Sequence, residues 1–164
     1  MIRRRLGAAV LPLLLLLTLL LSGCGDKAAA RPQDVQVAVG TQQVSVHPTQ
    51  YCLDGTGKRY DTTPPIIEVA PDSPVTITVP DAVAARGWDI QVFDAKLENK
   101  LGSVAVPKGK QAFTDINTSD VVPPGFYLVI VEKKGGACGQ FSGAWPVGFL
   151  RAGPSSPSSP SSSG

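Results

Sequence analysis

The stretch VQVAVGTQQVSVH, Val35 to His47, decides the fold. Val35, Val37 and Val39 alternate with Gln36 and Ala38, and Val44 and Val46 alternate with Gln43, Ser45 and His47. A side-chain period of two puts one set on each face of an extended chain, so both runs read as half-buried strands. The period returns in Val75, Ile77 and Val79, which alternate with Thr76 and Thr78, and in Trp88, Ile90 and Val92. Phe126 to Val131 (FYLVIV) is apolar without interruption, as a central strand covered on both faces would be. Phe141 to Leu150 carries Pro146, which cannot donate to a ladder and so indicates an edge or a bulge.

Turn chemistry separates these runs. Asp54-Gly55 and Gly57 lie between strands, Pro64-Pro65 and Pro71-Asp72-Ser73-Pro74 mark corners, and Pro123-Pro124-Gly125 precedes FYLVIV. One short helix is expected, capped by Asp81, running through Ala82 to Arg86 and ended by Gly87. The whole predicts an all-β chain, an immunoglobulin-like β-sandwich of seven or more antiparallel strands with one short helix. The order Cys52, Trp88, Cys138 matches that of immunoglobulin domains, but Trp88 lies 36 positions after Cys52 and Tyr127 lies 11 before Cys138. Both spacings depart from the true family, so the expectation concerns architecture only.

Outside the strands the composition changes. Met1 to Arg5 is cationic, Leu6 to Leu21 is almost wholly apolar, and the small residues Ser22 and Gly23 follow, the layout of an export signal over residues 1–23. The 16 residues of this run are fewer than the ~20 that span a bilayer. Residues 24–33 read as a polar tether, 34–152 as the sandwich domain, and 153–164 (GPSSPSSPSSSG) as a tail that cannot bury apolar surface and is expected to be disordered.

Leu21-Ser22-Gly23-Cys24 resembles the lipobox of bacterial lipoproteins. The resemblance implies that Cys24 is diacylated and becomes the mature N-terminus, which anchors the chain without crossing the membrane. With Cys24 so used, Cys52 and Cys138 remain as one pair for a disulfide in an oxidising compartment. In the chain-entropy account a loop of this length contributes about 4 to 5 kcal/mol. Cleavage also removes three of the 15 Lys and Arg residues, leaving 12 against 13 acidic ones, a net charge of about −1. The basic character belongs to the export segment, and no nucleic-acid partner is indicated.

Motifs for chemistry are incomplete. Gly55-Thr56-Gly57-Lys58 has Cys52 and Arg59 where a phosphate loop needs glycine and serine or threonine, so it reads as a hairpin loop beside a disulfide. The single histidine, His47, falls on a polar strand face with no nucleophile motif to serve. A blue-copper site needs two histidines, a thiolate and usually a methionine, and no cofactor is expected. Asp89, Asp94, Asp115 and Asp120 leave a hydrolase as the minor alternative. Trp88, Trp145 and Tyr51 are candidates for a ligand-stacking surface, although aromatic residues of a sandwich belong mostly to its core.

Thr49-Gln50-Tyr51-Cys52, Ile90 to Asp94, Ile116 to Pro124 and Ser142 to Pro146 together resemble a family of uncharacterised actinobacterial lipoproteins. That resemblance implies a bacterial envelope location, on the extracytoplasmic face of the cell membrane, and transfers no catalytic residue. The expected function is a membrane-anchored, non-enzymatic binding or accessory module with an envelope protein or wall glycan as partner.

Overall fold

The computed structural model describes residues 32–53, 55–133, 138 and 141–152. The expected signal, Cys24 with nearly all of the tether, and the Pro/Ser-rich tail lie outside the described residues. The elements follow in the order β1 (Val35–Val39), β2 (Gln42–Val46), β3 (Gln50–Leu53), β4 (Thr56–Arg59), β5 (Ile66–Val69), β6 (Pro74–Thr78), α1 (Asp81–Arg86), β7 (Trp88–Asp94), β8 (Lys100–Val106), β9 (Ala112–Asn117), β10 (Gly125–Lys133) and β11 (Phe141–Arg151).

One sheet has the order β2-β1-β6-β9, and the other has β4-β3-β11-β10-β7-β8 with β5 added beside β11. Pairing is antiparallel except for the parallel β5–β11 ladder. The valines that announced the fold do what their period requires: Val35, Val37 and Val39 are buried while Gln36 and Ala38 are half-exposed. They meet Ile90, Leu128, Ile130 and Val147 of the facing sheet in one apolar core. A β-sandwich is the result, with each sheet contributing one inner face.

Three local expectations need correction. FYLVIV forms the central part of β10, but only Phe126, Leu128 and Ile130 are buried, and Tyr127, Val129 and Val131 are half-exposed on the outer face. The strand covered on both sides is β11, buried from Gly143 to Phe149. Pro146 is therefore interior, between β10 on one side and β3 and β5 on the other. On that second side Ala144 O accepts from Thr49 N–H and Gly148 N–H donates to Pro65 O. Pro146 sits between these two residues, where the partner changes from β3 to β5 and no N–H is required. The helix begins one residue earlier than expected: Pro80 is its N-cap, without a side-chain bond, and Asp81 is in the first turn. There its charge complements the helix dipole. Gly87 closes the helix at φ 92°, donating its N–H to Val83 O and Ala84 O.

The registers give the sandwich two distinct poles. At the entry pole the chain arrives at Pro32 to Asp34, where Gln33 O accepts from Trp145 Nε1 at 3.1 Å. The start of β7, the ends of β6, β8 and β10, and α1 lie at the same pole, tied by Trp88 Nε1–H to Lys110 O and by Lys133 N–H to Gly87 O. So does the Cys52–Cys138 disulfide, which closes a separation of 86 residues with a Cα–Cα distance of 5.7 Å. The far pole holds the end of β7, the start of β8, the connection from β9 to β10, and the end of β11, where Arg151 N–H donates to Pro124 O.

Candidate functional site

The aromatic candidates are placed by packing. Trp88 and Trp145 are both 0% exposed, so neither is available to stack on a ligand, and the stacking-surface alternative is corrected for both. Each indole has one donor that burial would otherwise orphan, and each finds a main-chain carbonyl, Lys110 O and Gln33 O respectively. Tyr51 is half-buried, edge-on to Trp145 at 5.9 Å. Its role is to cover that indole where β3 crosses β11. Gly55 belongs to the tight connection between β3 and β4, as expected of a hairpin, but Thr56, Gly57 and Lys58 are paired within β4 and not in a loop, with Lys58 and Arg59 exposed on this edge strand. His47 Nδ1 meets Asp34 Oδ1 at 2.7 Å, an exposed contact at the chain's entry.

The acids build structure locally. Asp94 Oδ1 accepts from the N–H groups of Lys96 and Glu98, and Oδ2 from Asn99 Nδ2, so it organises the turn into β8. The Asn99 bond, aided by the backbone donors, holds its carboxyl below the ordinary aspartate range. Asp120 Oδ2 accepts from Asn117 N–H. Asp89 is ion-paired with Lys133 at 3.1 Å on the outer face near α1. Among the described residues no group of three or more His, Cys, Asp or Glu could hold a metal ion.

The concave feature lies at the far pole. A cavity of about 450 Å³ opens between the β7–β8 ladder, which supplies Val92, Leu101 and Gly102, and the Asp120-Val121-Val122-Pro123 segment between β9 and β10. A register shift in the β7–β8 ladder at Val92/Phe93 lets the start of β8 depart from regular pairing beside this opening. The rim is apolar and open, with Val122 89% and Leu101 49% exposed. Its polar framework is built beneath. Thr118, fully buried, donates its hydroxyl to Ala70 O at 2.8 Å and accepts from Ser73 N–H. Arg151 Nη1 donates to Thr118 O and Val121 O at 2.7 and 2.9 Å, and Nη2 to Val122 O at 3.0 Å. One guanidinium thus uses its rigid fork to hold three carbonyls of the segment that forms the cavity wall.

Charge separates along the same axis. Glu68, Asp72, Asp94, Glu98, Asp115 and Asp120 stand toward the far pole against Lys96, Lys100 and Arg151. Sequence reading singled out neither Arg151 nor the Leu101–Val122 rim. The Pro-Pro-Gly corner after Val122 was visible, but nothing local tells an arginine that clamps carbonyls from one in solvent.

Fold and cavity define the class: a two-sheet β-sandwich, stapled by a disulfide at the pole where the chain enters and open in an apolar cavity at the other. The chain belongs to a family described as a protein of unknown function (DUF2771), whose profile matches residues 28–134. That stretch contains both walls of the cavity and ends before Cys138 and β11. No curated protein and no solved structure matches the chain.

Proposed function

We propose that this protein is a lipid-anchored, extracytoplasmic, non-enzymatic binding module of an actinobacterial cell envelope, which receives an apolar segment of an envelope protein in the far-pole cavity. The single observation that carries the reading is the apolar rim around a concave site, because Val122 and Leu101 stay in water where a partner's side chain would cover them. The acidic surroundings favour a partner segment in which the apolar residue is flanked by Lys or Arg. The wall-glycan alternative relied on an exposed Trp88 or Trp145 and loses that support. The anchor rests on the Leu21-to-Cys24 pattern, with Cys24 carrying the acyl chains.

A photo-crosslinking residue at Leu101, compared with one at Gln43 on the opposite sheet, tests the site in living cells. Capture of one defined protein from Leu101 alone is expected, and its loss on Val122→Asp. Capture of lipid or of a small apolar molecule would replace the partner, and equal capture from both positions would end the proposal. Intact mass of the membrane-extracted chain tests the anchor separately, the expected species beginning at an acylated Cys24.

A further inference from the structure

We infer that the entry pole is a docking surface for the anionic headgroups of a phospholipid bilayer, which holds the cavity outward; this rests on the lipid-anchor reading above. The chain enters the fold at Pro32, eight residues after Cys24, and eight extended residues reach at most about 25 to 30 Å. Whatever surface the entry pole presents is therefore kept near the bilayer by the anchor itself.

That surface carries cations without an ion-pair partner among the described residues. Lys108 and Lys110 project from the β8–β9 turn, and Lys58 and Arg59 from β4. None of the four makes an ion pair among the described residues. Three of the acids at this pole are already engaged, Glu132 with Arg86, Asp89 with Lys133 and Asp34 with His47. Among the described residues Asp61 and Asp81 remain as opposing charges, and Asp54, between β3 and β4 in sequence, lies outside them.

The β8–β9 turn is also built to hold its lysines in place. Gly109, at φ 86°, donates its N–H to Ala84 O of α1 at 2.8 Å, Lys110 N–H donates to Pro107 O, and Lys110 O takes the Trp88 indole. Lys110 Nζ lies 5.3 Å from the Phe113 ring centroid, within cation–π range. Surface potential decays within about 8 to 10 Å at ordinary salt, so only charges on the facing pole feel the headgroups. The nine residues of β10 span about 30 Å from pole to pole, which leaves the acidic rim and the cavity outside that layer.

The native lysines are reporters for the test. The acylated mature protein is reconstituted into vesicles of phosphatidylcholine, with or without phosphatidylglycerol. After flotation, amine labelling is read by mass spectrometry. On anionic vesicles Lys58, Lys108 and Lys110 are expected to label several-fold more slowly than on neutral ones, while Lys96 and Lys100 at the far pole do not change. High salt and the double change Lys108→Glu, Lys110→Glu are expected to abolish the protection of Lys58 without releasing the protein from the vesicles. Protein that floats but labels equally at both poles, or is protected at Lys96 and Lys100, overturns the docking surface and leaves the anchor standing. Protein that fails to float with either vesicle removes the anchor and the inference with it. Protection of these lysines in cells but not on vesicles assigns the pole to a protein partner and overturns the lipid assignment.

Discussion

Gly143 and Glu132 show how much single residues of the entry pole carry. A Cβ on Gly143 would lie 2.5 and 2.7 Å from Trp145 Cη2 and Cζ3 and 2.8 Å from Tyr51 Cδ2, against rings that cannot yield. Gly143→Ala is expected to cost about 1 to 3 kcal/mol as an overpacking change, read as a lower denaturation midpoint at unchanged m. Glu132 is 0% exposed on the inner face of β10, opposite Trp88. Burial raises its carboxyl pKa above the ordinary glutamate range, and Arg86, 2.9 Å from Oε1, opposes that rise. The guanidinium approaches without hydrogen-bond geometry, which leaves both oxygens unsatisfied. Because the native value lies above the unfolded one, the stability this group contributes is present below the unfolded pKa and is lost as pH rises through the native pKa. Stability should therefore fall from about pH 4.5 upward, and Glu132→Gln should flatten that slope while matching or exceeding the parent at neutral pH. Arg86→Met should cost roughly 2 kcal/mol at neutral pH and much less in mild acid, since it leaves a buried carboxylate unpaired only when that group is ionised. A variant whose cost does not change with pH would show that Arg86 acts through packing alone.

At the scale of elements, the wall of the cavity depends on one side chain from the end of β11. Arg151→Met keeps the stem and removes three donors from the Thr118-to-Val122 carbonyls. It is expected to cost about 1 to 3 kcal/mol and to raise hydrogen exchange through residues 118–124, with the β7–β10 ladder unaffected. Uniformly faster exchange would mean that the clamp supports the sheet and not the wall. The strands themselves were unequally legible. β1, β6 and the first half of β7 have apolar residues on one face and polar on the other, so the pattern suffices. β8 is an edge strand in which only Gly102, Val104 and Val106 turn inward, and Leu101 is exposed, so its period is blurred. The covered strand was assigned to β10 for its apolar run, whereas β11 holds that place with Ala144, Pro146 and Gly148 on its outer side. There Tyr127 and Ile66 lie over Gly148, at 3.0 and 3.1 Å from where a Cβ would stand, and small residues are what that cover requires.

For the whole molecule, the Cys52–Cys138 bridge joins β3 to the connection between β10 and β11, across 86 positions of sequence. Replacing both cysteines by alanine should lower stability by about 4 to 5 kcal/mol in the chain-entropy account. A loss below about 1 kcal/mol would mean that the unfolded chain is restrained by other means. The bridge lies at the entry pole and the cavity at the far one, so the same variant, if folded, should keep crosslinking from Leu101. The lipid-facing and partner-facing functions assigned to the two poles can thus be perturbed one at a time.

By itself, the sequence determined what depends on neighbours along the chain. The period of two sets which side chains of Val35 to Val39 face inward, Pro71 to Ser73 and Pro123-Pro124 set where strands stop, and Cys52 and Cys138 are the one pair left once the lipobox resemblance sets Cys24 aside. Tertiary structure decided what depends on residues far apart meeting. Only the pairing of β11 with β3, β5 and β10 makes Pro146 an interior residue, and only the crossing of Arg151 beneath residues 118–122 turns a proline corner into a cavity wall. Trp88 and Trp145 belong to the same group: an aromatic residue in a strand carries no local mark of its depth, and the second sheet determines whether its ring faces ligand or core.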